Sequence, residues 1–309
     1  MLRTATASAG SNSRSSVRPT VSRLFRQPWG YLLPAAVILG ALSVFPLVQL
    51  ARMAFSEVGP RTIVGPWEFI GWSNFRDAFD DRIFWKSVRA TGTFTLVLLF
   101  VDLVVGYLGA AVLSSGAWST NLALRIMVFV WALPPIVSGS VLRFLLAGNG
   151  AINSLLGLAG MEPVDWLSSP DRALLSVSLV AAWASLPFSI LVIHGGLLSM
   201  PNDVIEAARI DGAGFWRLSL PVVLPILRPT LTVLTVLIIP YAFRSFDFVY
   251  VMTEGGPGTT TTTLPYFAYN TAFKTYKFGV ASALAMVSML VVIVLAVPYM
   301  LGLRKEHAS

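Results

Sequence analysis

From Tyr31 to Leu50 the chain runs for 20 residues without a charged side chain. At 1.5 Å per residue, a helix of that length covers about 30 Å, the thickness of a bilayer's hydrocarbon core. That coincidence constrains the fold strongly. A segment in lipid must satisfy every backbone N–H and C=O internally, and a helix does this without help from other segments. The stretch also exceeds the apolar core of a cleaved signal peptide, about 7–15 residues, so it reads as a retained span.

Five further stretches have the same character. They run from near Val88 to Leu113, from about Leu122 to Leu146, from about Ala173 to Gly195, from about Pro229 to Met252, and from Phe278 to Leu303. The expected fold is therefore all-α, a polytopic membrane protein with six transmembrane helices occupying residues 30–303. Pro134, Pro135, Pro187 and Pro240 lie inside these stretches, which membrane helices tolerate where neighbours serve the freed carbonyls. Composition agrees. Only 12% of the 309 residues are charged, against about 25% in soluble domains. A mean hydropathy of +0.73 excludes an ordinary water-soluble globule. The net charge of +7 does not indicate a nucleic-acid partner, because the basic residues form no stripe or face.

Residues 1–29 are rich in Ser, Thr and Ala, with Arg3, Arg14, Arg18, Arg23 and Arg26 and no acid. They read as a disordered basic tail. Basic residues favour the cytoplasmic side, so both termini are expected inside, with residues 304–309 as a short second tail. The outer loops then carry Trp67, Trp72, Trp85 and Trp166. Anchoring at the headgroup level is the first expectation for these rings, and partner docking the second.

Most catalytic signatures are missing from the sequence. There is no cysteine, no glycine-rich phosphate loop ending in Lys-Ser or Lys-Thr, and no Gly-x-Ser-x-Gly elbow. The two histidines, His194 and His307, stand far apart. The chain is thus expected to be no enzyme and to hold no metal or cofactor. His194, near the inner end of the fourth span, reads as an interface residue, with a proton relay as the alternative.

The loop from Met200 to Pro225 has the pattern helix, sharp turn, helix. Ser199 is positioned to cap the first helix, with Pro201 in its first turn. Val204, Ala207 and Ala208 share one face. Gly212 suits a left-handed residue after the helix end. A second short helix begins near Ala213 and carries Phe215, Trp216 and Leu218, and Pro221 is expected to end it early. Its aromatics need a surface to pack on, either the membrane or another protein.

This loop resembles a known signature. Glu206-Ala207-Ala208, then Asp211-Gly212-Ala213, then Leu224-Pro225 resembles the Glu-Ala-Ala loop of binding-protein-dependent ABC importer permeases. Phe69-Ile70-Gly71-Trp72-Ser73-Asn74-Phe75 is similar to the stretch after the first span of the carbohydrate-type members. Phe246-Asp247, Thr253-Glu254-Gly255-Gly256-Pro257, Tyr269 and Ala272-Phe273 are similar to their fifth span and last outer loop. The resemblance covers roughly residues 30–303 and lies nearest the sugar permeases related to the maltose-type first permease.

It implies a type I ABC importer permease fold in the plasma membrane. A second permease, forming a heterodimer, two ATPase subunits and an extracytoplasmic solute-binding protein are the implied partners. ATP and Mg are implied to bind the ATPase subunits and not this chain. The loop at about 199–226 would dock on an ATPase subunit, with Phe215 and Trp216 as anchors and Glu206 and Asp211 either holding its shape or pairing with basic groups nearby. The solute would be a sugar, or a glycerol-phosphate diester as carried by close relatives. A secondary transporter or a membrane scaffold is the alternative class.

Charges inside the spans mark candidates for the solute path. Asp102, Arg143, Arg244 and Asp247 would each cost about 2.5–3.5 kcal/mol near a helix centre, so such residues face the bundle interior. Arg244 and Asp247 are three apart and are expected on one helix face. With Tyr241, Trp131, Trp183 and Arg143 they form the candidate lining, and a purely structural ion pair is the alternative. Asp102, isolated among Leu and Val, is expected to be structural.

Overall fold

The computed structural model describes residues 29–114 and 120–306. The basic tail, apart from Trp29, therefore lies outside the described residues, as do residues 307–309. The chain divides into two units, one ending at Gln49 and the other beginning at Leu50. Helix α1 (Trp29–Ala54) carries Pro34 and Pro46 without breaking. Its apolar side chains from Leu32 to Val48, such as Leu42 and Phe45, are exposed, as expected of a helix whose solvent is lipid.

In the second unit a two-residue strand pair, β1 (Ser56–Glu57) and β2 (Glu68–Phe69), pairs antiparallel. It leads into α2 (Ser73–Asp80). The predicted Phe69–Phe75 stretch packs on itself here. Phe55 meets Trp72 edge-on at 5.1 Å and Phe75 at 5.2 Å. Asn74 donates to the carbonyls of Ala54 and Ser56, each at 2.9 Å.

The next span is α3 (Arg82–Phe100), a π-turn (Val101–Val105) and α4 (Gly106–Leu113), 32 residues without interruption. Asp81 starts it by accepting from the Ile83 N–H at 2.7 Å, an N-cap that satisfies one of the helix's orphan donors. Helix α8 (Ala173–Leu198) is the centre of the unit and packs against α3, α4 and α11 (Leu224–Arg244). Its faces carry Ser178, Ala181, Ala182, Ser185 and Ser189, all buried. Small residues let membrane helices approach closely. At Gly109 the approach is so close that a Cβ would lie 2.8 Å from Ile190 Cδ1.

Three expectations need correction. The third stretch is not one helix: α5 (Thr120–Trp131) and α6 (Pro135–Leu145) meet at an angle of 99°. Pro134 and Pro135 cause the break, because a residue before proline leaves the α region. Pro135 then sits in the first turn of α6, where its missing N–H costs nothing. Among the described residues, five continuous helical runs are long and apolar enough to cross a membrane, and six crossings result if the bent pair counts as one.

The helical run that holds the fifth span begins upstream of it, at Phe215 rather than near Pro229, and reaches Met252. Pro221 ends regular α-helix α10 (Phe215–Leu218) but not the helical path, because a π-turn (Ser219–Val223) absorbs the lost bond and leads into α11. Ser199 does not cap α9 (Asn202–Ile210). Its hydroxyl turns back to the Gly196 carbonyl at 2.8 Å and serves the end of α8.

After α11 come α12 (Phe246–Met252), α13 (Leu264–Phe273) and α14 (Phe278–Glu306). The short helix α7 (Ala151–Leu158) stands between α6 and α8. Asn153 ties its surroundings together, donating to Val164 O at 3.0 Å and accepting from Trp166 Nε1 at 3.1 Å.

Candidate functional site

Two places gather the candidate residues: a cavity beside α8 and the loop that follows α8. The cavity, of about 380 Å³, is bounded by Trp131, Phe188, Tyr241 and Arg244 with Ser185, Ser189, Leu237, Ile238 and Pro240. Helix α5 supplies Trp131 at its last turn, just before the proline break. Its ring stacks on Phe188 with centroids 5.6 Å apart and planes at 20°. Arg244 ends α11 and Tyr241 lies one turn earlier on the same face. The wall thus offers flat aromatic area, a guanidinium donor and hydroxyls.

Asp102 is the residue that sequence reasoning underrated. It is not isolated. Its carboxylate is fully buried in the π-turn and accepts from Ser189 at 2.7 Å and from Ser185 at 2.8 Å. A carboxylate can only accept, so the serine protons are committed to protein. Ser185 also reaches the Ala182 carbonyl at 3.1 Å. Toward the cavity, therefore, the Ser185 oxygen presents lone pairs rather than a donor. Donor groups on the lining are then Arg244, the Tyr241 hydroxyl and the Trp131 indole N–H, and the serine oxygens are acceptors. The only sequence signal for this arrangement is the spacing of Ser185 and Ser189, one turn apart on the fourth span.

The other path candidates lie elsewhere. Arg143 donates from Nη1 to the Val251 carbonyl at 2.7 Å and ties α6 to α12. Trp183 is 41% exposed on α8 and does not border the cavity. Arg244 and Asp247 do not share a continuous helix face. Ser245, at φ −80° and ψ 39°, separates α11 from α12, and among the described residues no ion pair joins the two. Asp247 stands in the first turn of α12, where a carboxylate suits the helix dipole.

The loop has the predicted helix-turn-helix form. The Ala213 N–H reaches the Ala208 carbonyl at 3.0 Å across Gly212, whose φ is +76°. That is the 6→1 bond of a helix C-terminus closed by a left-handed residue. Glu206, Ala207 and Ala208 lie in the last turns of α9, and Asp211 at its end is exposed. Past the turn, α10 presents Phe215 at 48% and Trp216 at 62% exposure, their rings edge to face at 5.1 Å. Leu224 and Pro225 form the first turn of α11. Glu206, Ile205, Phe215 and Leu218 face Tyr107 and Ser114 of the preceding spans across a second cavity of about 610 Å³. Ser114 Oγ and His194 Nδ1 pair at 3.0 Å beside it. His194 is thus a buried interface residue between the ends of α4 and α8.

Residues 102–303 match the family model described as the binding-protein-dependent transport system inner membrane component. The chain belongs to that family. This permease is 34% identical to the sulfoquinovosyl glycerol transport system permease protein of Agrobacterium fabrum, over 83% of each chain. It is 29% identical to the trehalose/maltose transport system permease protein of Thermococcus litoralis, over 88% of this chain and 92% of that one. Among solved structures, its fold matches a chain of a bacterial ABC transporter involved in the import of the acidic polysaccharide alginate. There the TM-score is 0.78 at 19% identity, over 92% of this chain and 97% of that one. The permease therefore has the ABC importer membrane fold, and the subunit is a membrane-embedded, multi-pass one.

Proposed function

We propose that the permease carries a sugar or sugar-like solute and forms the path together with a second, different permease. Two ATPase subunits supply the free energy, and an extracytoplasmic binding protein delivers the solute. Sugar transport is supported by the relatives' names, which specify sulfoquinovosyl glycerol and trehalose or maltose. It is supported as well by a cavity that joins stacked aromatic rings to a guanidinium and acceptor oxygens.

The observation that carries the coupling role is the exposed Phe215–Trp216 pair on a four-residue helix that follows the Gly212 turn. Large aromatics in that state are the usual anchors of an interface. In this reading the loop lies on the cytoplasmic side. ATP-driven closure of the ATPase pair moves α9 and α10. The motion passes into α11 through the π-turn at Ser219–Val223, and so to Tyr241 and Arg244 at the cavity. ATP and Mg bind the ATPase subunits, and the permease supplies the two-state element that they bias.

The test is uptake of trehalose, maltose and sulfoquinovosyl glycerol into cells expressing the full transporter. Uptake of one of them that ceases on ATP depletion, yet survives collapse of the proton gradient, is the expected result. Uptake that follows the proton gradient, or a permease that never copurifies with an ATPase subunit, overturns the proposal.

A further inference from the structure

A third cavity, of about 550 Å³, runs between α3, α11 and α14 and has a different character from the other two. Its floor is one stripe of α3, namely Trp85, Val88, Gly92, Leu96 and Leu99, at successive spacings of three and four residues. From Trp85 to Leu99 the stripe rises about 21 Å, more than one leaflet's share of a hydrocarbon core about 30 Å thick. Val287, Val291 and Leu295 of α14 form the opposite wall. The groove is long, narrow and almost wholly apolar.

Three observations point to an occupant. Gly92 lies within α3, where glycine costs about 0.8–1.0 kcal/mol relative to alanine. Yet a Cβ there would meet nothing within 4 Å, so close helix packing is not the reason for glycine, and its effect is to deepen the groove. Thr95 borders the groove with its hydroxyl buried and unpartnered. Its neighbour Thr91 is satisfied twice, donating to the Ser87 carbonyl and accepting from the Leu264 N–H. Finally, the first turns of α3 carry Arg82, Lys86 and Arg89 and no acid. Arg89 is one turn from both Trp85 and Gly92. The acids just before α3 include Asp81, which is engaged as the helix cap.

We propose that this groove is a specific site for an anionic phospholipid, with one acyl chain lying along Trp85 to Leu99 and the phosphate against Arg89. The apolar length suits an acyl chain, and the basic turns suit a phosphate. The Thr95 hydroxyl gains a partner in the glycerol ester region. The site is independent of the solute cavity and of the ATPase partners.

The test places the assembled transporter in nanodiscs of equal phosphatidylglycerol and phosphatidylcholine. Mild detergent then strips the bulk lipid, and native mass spectrometry counts the lipid retained. Retention of phosphatidylglycerol over phosphatidylcholine is expected. Gly92→Phe, which fills the groove, should lower retention about tenfold, the effect of losing a contact of about 1.4 kcal/mol, whereas Gly92→Ala should not. Should Gly92→Phe reduce assembly, Arg89→Gln decides, because an exposed change should abolish the headgroup preference at unchanged yield. No retained lipid, retention in the bulk ratio, or retention indifferent to both Gly92→Phe and Arg89→Gln overturns the proposal. So does cross-linking that places a helix of the second permease in the groove.

Discussion

Two of this permease's glycine turns, at Gly212 and Gly255, look alike in sequence and behave oppositely in the fold. At Gly212 the chain reverses with φ +76°, and a Cβ there would meet nothing within 4 Å. At Gly255 it reverses with φ +85°, and a Cβ would lie 2.6 Å from Thr262 Oγ1 and 2.7 Å from Tyr266 Cε1. The segment after Gly255 spends its polar groups on itself. Thr261 donates to the Gly256 carbonyl at 2.8 Å and pairs with Thr253 at 2.7 Å, while Thr262 donates to the Gly255 carbonyl at 3.1 Å. Thr261, Thr262 and Thr263 are all buried. The Gly212 segment does the reverse: its backbone closes on itself, and its Phe215 and Trp216 rings remain exposed. A turn whose side chains pack inward fixes a wall, whereas one whose side chains remain exposed leaves a surface that the proposed ATPase contact would cover.

Substitutions can break this contrast. The largest effect is expected for Gly255→Val, which combines a left-handed β-branched residue with two overlaps. Strain and overpacking together come to more than about 3 kcal/mol, and the subunit should fail to accumulate in membranes. Next, Trp216→Ala should leave accumulation unchanged while weakening ATPase copurification. An interface anchor of this kind is worth about 2 kcal/mol or more, roughly a thirtyfold loss of affinity. Gly212→Val should cost about 1–2 kcal/mol of local strain without a clash. The subunit should then assemble, with ATP hydrolysis less responsive to binding protein. If Gly212→Val and Gly255→Val lower subunit abundance equally, the distinction between the two turns is wrong. The smallest effect belongs to Trp183→Ala, which should leave the uptake KM within about twofold because the ring does not border the cavity, whereas Trp131→Ala should raise KM about fivefold or more, the equivalent of about 1 kcal/mol.

Much of the loop was legible in the sequence because its logic is local. Gly212 after Glu206-Ala207-Ala208 specifies a helix stop, and the aromatics follow within one turn. The spans were legible too, because lipid leaves a chain few alternatives. Local pattern failed where neighbours or unusual turns intervened. Arg244 and Asp247 have helical spacing, but the bend at Ser245 puts them on two different helices. Pro134 and Pro135 read as tolerable interruptions and instead produce a 99° corner that delivers Trp131 to the cavity. Asp102 read as isolated because its partners are 83 and 87 residues away.

The sequence by itself determined the solvent of this protein, the approximate crossings and the helix-turn-helix form of the loop after the fourth span. Each follows from chemistry confined to one segment: apolar length, proline and glycine geometry, and a contiguous motif. Tertiary structure alone decided which charged and aromatic residues share a wall. It brought Asp102, Ser185 and Ser189 into one hydrogen-bonded cluster, set Trp131 on Phe188, and sent Arg143 and Trp183 elsewhere. A cavity is made by the packing of helices distant in sequence, and that packing depends on bends and π-turns that helical spacing does not reveal.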